Sequence, residues 1–397
     1  MTFSEIALSL GIREYPEILD TIYQEVARGA KPLFDRALID RHHTERELFG
    51  QFYDDVIRGL EDLERKPNAY TYAVVGAYYM QRTSQQEGKR LPLPEPDGSP
   101  ALDMLPLFIL LPMAQHGIDE YIRRGTSRED AEALMRVFRS DLSVNIRRHG
   151  RPGVDRLYFN WTTLFIHALI FPCGGFKFNL STSGRFFYVL RNKQDGTVAV
   201  LLHDRDIHRT GNILGSAGLE DTEGSFHIEV TQTDDAWIGH AVGENCLMES
   251  TPRRFPKADW ELAIAPGDCV LAIHIPAGTP LTPEATRNAI RAAFAHTEKY
   301  YADYAPKAIH CGSWLLNPEL NDILGEDSNI CAFASLFHRH PTKCQGQGVF
   351  NFVFKTSVNP KLEDLPEDTR LQRALKAKYL AGGYHHNFGG YILPEDV

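Results

Sequence analysis

The chain has 397 residues, 43% hydrophobic and 24% charged, with a formal net charge of −10. These proportions exclude a disordered or fibrous chain and leave room for two domains. The acidic balance and scattered Lys and Arg argue against nucleic acid as a partner, since phosphate binding needs a local excess of cations.

The start, Met1-Thr2-Phe3-Ser4-Glu5, lacks the basic residues and apolar run of a signal peptide. Apolar residues at three- and four-residue spacings predict helices over 15–30, 46–63 and 69–81. Residues 85–100 are rich in Pro, Gly and charge and read as an exposed loop. The most apolar stretch, Met104 to Met113, holds two prolines and is too short to cross a bilayer, so a buried helix and no membrane are expected. Ser127 with Asp130 opens a helix that runs to about His149 and is stopped by Gly150 and Pro152. A mostly helical domain over 1–155 and a second domain over 156–397 are therefore expected.

From Tyr158 onward the texture turns toward strands, at 176–180, 185–191, 198–203 and 225–230, with a long polar loop over 204–224. A turn at Pro266-Gly267-Asp268 leads into a strand over 269–275. Thr282 then caps a helix that has Pro283 in first position and Glu284 behind it, running to about Tyr301. A strand over 308–316, a short helix opened by Asn317-Pro318, strands near 330–338 and 349–355, and a helix over 368–380 ended by Gly382 complete the pattern. This alternation is an α+β signature. Six cysteines, at 173, 246, 269, 311, 331 and 344, form no C-x-x-C pair. A reducing, cytoplasmic setting is expected.

Three blocks resemble a bacterial family of acyltransferase-domain proteins. They are Leu271-Ala-Ile-His-Ile-Pro-Ala-Gly278 with Pro280-Leu281, Cys311-Gly-Ser-Trp-Leu-Leu-Asn-Pro318, and Ser328-Asn329-Ile330 with Phe333 behind. Trp260, Leu262 and Ala265-Pro-Gly-Asp268 extend the likeness upstream. The resemblance implies an N-acyltransferase-like, helical N-terminal domain followed by a GNAT-like mixed-sheet C-terminal domain. It implies acyl transfer from acyl-CoA or another acyl thioester to a small amine or hydroxyl acceptor, with no metal expected. Two departures stand out. The nearest match to a GNAT pyrophosphate loop, Lys343-Cys-Gln-Gly346-Gln-Gly348, begins with Lys and runs into a predicted strand, and Phe171-Pro-Cys-Gly-Gly-Phe176 replaces a stretch rich in leucine, glycine and arginine.

Strand alternation puts aliphatic Leu271, Ile273 and Ile275 on one face and His274 on the other. His274 reads either as the general base or as a structural histidine bonding a nearby loop. Cys311 shares a face with Ser313; on a neighbouring strand, it is either a nucleophile paired with His274 or a small buried hydrophobe. Ser313 is a weaker nucleophile candidate, lacking a G-x-S-x-G elbow. Trp314 points to the opposite face and reads as core or as a substrate wall. Ser328 and Asn329 either bond a substrate carbonyl or cap backbone. Amides near Gly278 are candidates to polarise the thioester, and the helix end at Thr282 to meet the anionic donor. His338 and His340 share a face, which permits metal binding but lacks a third ligand at a recognisable spacing. His203, Asp204, Asp206 and His208 read either as metal ligands or as a solvated loop. His42-His43 and His385-His386 read as surface pairs. The competing functions are a Cys311–His274 thioesterase, cyclase or amide-forming enzyme, and a metabolite-binding protein without turnover. Oligomeric state is left open.

Overall fold

The computed structural model describes residues 1–325, 327–356 and 359–397. It divides into two compact units, Met1–Ile170 and Phe171–Val397.

The first unit is helical. Its helices start where the sequence supplies caps: Thr2 and Glu5 form a capping box before Phe3–Ser9, and Ser99 caps Pro100–Leu110 with Pro100 in first position. Met104, Leu105, Leu107, Phe108, Ile109 and Leu110 of that helix are all buried. Two glycines let it approach its neighbours. A Cβ on Gly59 would lie 2.8 Å from Met104 Cγ, and one on Gly76 would lie 3.0 Å from Ile109 Cδ1. Together with Ala114–Arg123 this helix makes a run, Pro100–Arg123, long and apolar enough to cross a membrane, but 83% of its most apolar window is buried within the protein.

The structure corrects several expectations here. The helix predicted over 127–149 is two, Arg128–Met135 and Val137–His149, before left-handed Gly150 ends it. Residues 85–100 begin with a short helix, Gln85–Gly88, because Ser84 and Glu87 form a capping box. The strand-like texture at Tyr158 is a helix, Arg156–Ile166, capped by Asp155, whose side chain accepts from the Tyr158 amide at 3.0 Å. It buries Phe159, Phe165 and Ile166 in the helical core, so the first unit ends at 170 and not at 155.

In the second unit the strands are β1 (Ile170–Cys173), β2 (Phe176–Thr182), β3 (Phe187–Asn192), β4 (Val198–Leu202), β5 (Arg205–Ile207), β6 (Phe226–Ile228) and β7 (Thr231–Gln232). They continue with β8 (Ala236–Gly239), β9 (Arg253–Pro256), β10 (Trp260–Ile264), β11 (Cys269–His274), β12 (Ile309–Ser313), β13 (His338–Pro341) and β14 (Phe388–Ile392). Six of them form the main sheet, in the order β1-β2-β11-β12-β14-β13, and β10-β3-β4 form a second sheet. β11 pairs antiparallel with β2, and β14 antiparallel with both β12 and β13. β11 and β12 are parallel, which requires a crossover, here the helix Pro283–Tyr300. Two predicted strands are wrong. Residues 330–338 hold the helix Asn329–Ala334 before β13, and 349–355 hold the helix Gly348–Phe352, which buries Val349 and Phe350 against Leu375 and Tyr379. Short apolar runs carry no period long enough to separate strand from helix.

One buried acid in the helical unit makes stability pH-dependent. Asp141 is 1% exposed; one carboxylate oxygen accepts from the Thr162 hydroxyl and the other has no hydrogen-bond partner among the described residues. Burial holds its carboxyl well above the ordinary range, against the opposing Thr162 bond. A pKa raised on folding contributes stability at low pH that is lost as pH rises from the ordinary Asp value through the raised one. Asp141→Asn is expected to flatten the fall in melting temperature as pH rises above the ordinary Asp range. Identical slopes in thermal scans of both proteins would contradict this.

Candidate active site

The register of the main sheet sorts its side chains into two faces. Leu271 and Ile273 of β11, Ile309 and Cys311 of β12, and Phe388 and Ile392 of β14 share one face. Ala289, Ile290 and Ala293 of the crossover helix seal it as a hydrophobic core. The opposite face carries Lys177 and Asn179 of β2, Ala272 and His274 of β11, His310 and Gly312 of β12, Gly389 and Tyr391 of β14, and His338 and His340 of β13. The second sheet covers one end of this polar face, packing Val189, Val200 and Leu202 with Val270 and Tyr391.

At the other end the sheet opens. β11 and β12 are in register only at Leu271–Ile309 and Ala272–His310. Beyond that rung, His274 pairs sideways with Lys177 of β2, and Gly312 with Gly389 of β14. The two parallel strands are thus held by different neighbours where their C-terminal ends diverge. Gly312 is exposed, and a Cβ there would meet nothing closer than His310 Cε1 at 4.0 Å. Gly389 is the reverse: a Cβ would strike the His340 ring at 2.2 Å, so that imidazole fills the space above it. The result is a notch with Gly312 as its floor and half-buried His274 and His310 beside it, while His340 lies fully buried above Gly389.

His274 is half-buried, and its Nε2 donates to Asn179 Oδ1 at 2.5 Å. Asn179 Nδ2 donates to the Leu180 carbonyl, which fixes the amide so that its oxygen faces the ring. His274 Nδ1 therefore carries the lone pair. Burial lowers the His274 pKa to about 4, with Lys177 and His310 adding to the effect. Near neutral pH it is an uncharged imidazole able to accept a proton.

The remaining predicted residues fall elsewhere. Cys311 is 3% exposed on the aliphatic face, opposite His274, and burial pushes its thiol up to about 12. The expected Cys311–His274 pair does not exist, because the parallel register puts Ile273, not His274, on the face of Cys311. Ser313 caps the turn Trp314–Leu316, accepting from the Leu315 amide at 3.2 Å. Trp314 packs against the cluster of Val349 and Phe350, and its carbonyl accepts from His385. Ser328 caps the helix Asn329–Ala334 and Asn329 is exposed. Gly278, with φ of +85°, sits at an exposed turn after β11.

Thr282 caps the crossover helix through the Ala285 amide. Its carbonyl takes the Thr286 amide and Pro283 has none, which leaves only Glu284's amide for an anion. The Lys343–Gly348 loop opens a five-residue helix, not a strand, and Cys344 Sγ accepts the Gly346 and Asn387 amides. His42 and His385, expected at the surface, are buried. His338 pairs with Asp396 and His208 with Asp221. Among the described residues no group of three or more His, Cys, Asp or Glu could hold a metal ion. Cavities of about 610 Å³ among Pro92–Pro96, Arg148 and Arg156, and of about 290 Å³ among Gln345, Phe350, Tyr379 and Tyr384, do not include His274. Sequence reading missed His310 and Asn179; the alternation that placed His274 places His310 on the polar face only once the register is known.

A helical first unit, followed by a mixed sheet whose two parallel strands diverge, defines an acyltransferase-type architecture of the GNAT class. Residues 39–168 match the N-acyltransferase N-terminal domain and residues 170–392 the GNAT-like C-terminal domain, and the chain belongs to the family these domains define. An acyltransferase solved in complex with decanoyl-CoA is similar at 17% identity and a TM-score of 0.65, covering 99% of this chain and 100% of that one. An acyltransferase solved with CoA and 10C-teicoplanin is similar at 17% identity and a TM-score of 0.61, covering 99% of each. At these identities the likeness establishes a shared fold. No curated protein matches the chain.

Because Cys311 is sealed in the core, it is expected to resist iodoacetamide in native protein at about pH 8 and to react only after unfolding. Peptide mass spectrometry showing native alkylation at the rate of an exposed thiol would place it in the notch instead.

Proposed function

We propose that this chain transfers an acyl group from an acyl thioester, in the form of acyl-CoA, to a small amine or hydroxyl acceptor. The observation that carries the reading is the notch where β11 and β12 diverge, with a neutral, oriented imidazole on its edge. Where a ladder stops inside a sheet, the peptide groups of the next rung face each other across the gap and seek other partners. An extended ligand arm bearing amides, such as that of CoA, can add there as a strand would. The solved relatives of the same fold hold CoA, octanoyl-CoA or decanoyl-CoA, which makes medium-chain acyl-CoAs the first donors to try.

In this reading the acceptor attacks the thioester carbonyl above Gly312 and gives its proton to His274 Nδ1. Collapse of the adduct breaks the C–S bond, and the same proton passes to the departing thiolate. Asn179 holds the imidazole in the tautomer that leaves Nδ1 basic. A Cys311 covalent route would have to cross the sheet, so a Cys311→Ala protein is expected to keep most of its turnover.

The test is a thiol-release screen of acyl-CoAs against amines and alcohols with wild type, His274→Ala and Cys311→Ala. His274→Ala is expected to lose about 10²- to 10⁴-fold in kcat, the usual contribution of a positioned base. No thiol release from wild type with any pair would instead favour a binding protein without turnover. Collapse in Cys311→Ala alone would favour the covalent alternative.

A further inference from the structure

The reading of His274 leaves a second imidazole on the same face without a role. His310 lies one strand across and two residues back from His274, a diagonal of about 8 Å between α-carbons by ordinary sheet spacings. It is half-buried. Among the described residues its ring nitrogens make no hydrogen bond, and neither is sealed from solvent, whereas His340 Nε2 is buried without a partner. Its orientation is nonetheless fixed. The ring packs 4.9 Å from that of Tyr391 and lies nearly parallel to that of His340, at 6.4 Å and 14°. Its Cε1 is the nearest atom to the vacant space above Gly312. A fixed imidazole beside an open space, its ring nitrogens without a hydrogen-bond partner among the described residues, can be completed by a bound molecule.

Resting on the acyl-thioester reading, we infer that His310 donates an N–H hydrogen bond to the thioester carbonyl oxygen as the tetrahedral adduct forms. The acceptor's lone pair makes the new bond to the carbonyl carbon, and the carbonyl π pair moves onto the oxygen that faces His310. His274 takes the acceptor's proton. On collapse the C=O bond re-forms, the C–S bond breaks with its electron pair on sulfur, and the proton on His274 moves to that sulfur. His310 keeps its own proton throughout. Burial lowers its pKa to about 4, so near neutral pH it is an uncharged imidazole that can donate through one ring N–H.

The experiment compares His310→Phe, which keeps the ring and removes the donor, with His310→Gln, which keeps a donor. His310→Phe is expected to lose about 10²- to 10³-fold in kcat with the KM for octanoyl-CoA little changed, and His310→Gln less than about tenfold. A His310→Phe protein that keeps kcat within about threefold of wild type overturns the assignment. Should that variant fail to fold, histidine Cε1–H resonances of the full chain give a second measurement. The His310 peak is assigned by its absence from His310→Gln, and octanoyl-CoA is added to wild type. Movement of both the His274 and His310 peaks supports the assignment. Movement of His274 alone overturns it while leaving the acyl-thioester reading in place, and movement of neither removes both.

Discussion

Everything distinctive in the second unit follows from two parallel strands that share only two rungs. Parallel neighbours cannot be joined by a tight turn, so the chain must leave the sheet and return, and the helix Pro283–Tyr300 makes that journey over one face. Its apolar stripe buries Ala289, Ile290 and Ala293 against Leu271 and Ile309, which commits that face to the core. The opposite face is then the one that can open. Because β11 is laddered outward to β2 and β12 outward to β14, separating their ends costs no pairing on the outer sides.

The polar face also shows how far burial sets the chemistry of its histidines. His274, His310 and His340 have pKa values lowered to about 4, 4 and 3, and in each the largest cause is removal from water. Imidazoles near one another would repel if protonated, whereas as neutral rings His310 and His340 pack against Tyr391, and His340 also against Phe187. The differences among them come from access. His340 fills a glycine's space, His310 lines the vacant one, and His274 is steered by Asn179.

Much of this was legible in the sequence. The alternation Val270 to Ile275 placed His274 away from the aliphatic face, and the cap at Thr282 with Pro283 marked the crossover helix to within a residue. The three blocks pointed to the family that the two domain matches establish. What could not be read was register. A shift of one residue between parallel strands exchanges every side chain between faces, and that shift decides whether Cys311 or His310 accompanies His274. The domain boundary was misplaced because Phe159 and Phe165 look the same in a strand as in a helix that docks on other helices. The caps at Ser328 and Ser313 show the same ambiguity: a hydroxyl before an apolar run is both a helix start and a candidate ligand group.

The order of strands in space differs from their order in synthesis. β14 occupies an inner lane of the sheet, between β12 and β13, although among the described residues it is the last strand to leave the ribosome. β13 pairs with β14, so His340 cannot take its place above Gly389 until β14 has been made. While residues 314–387 are being made, the flank of β12 that will take β14 presents unpaired peptide groups, a state in which nascent chains associate with one another. The notch beside His274 is therefore among the last parts of the second unit to mature.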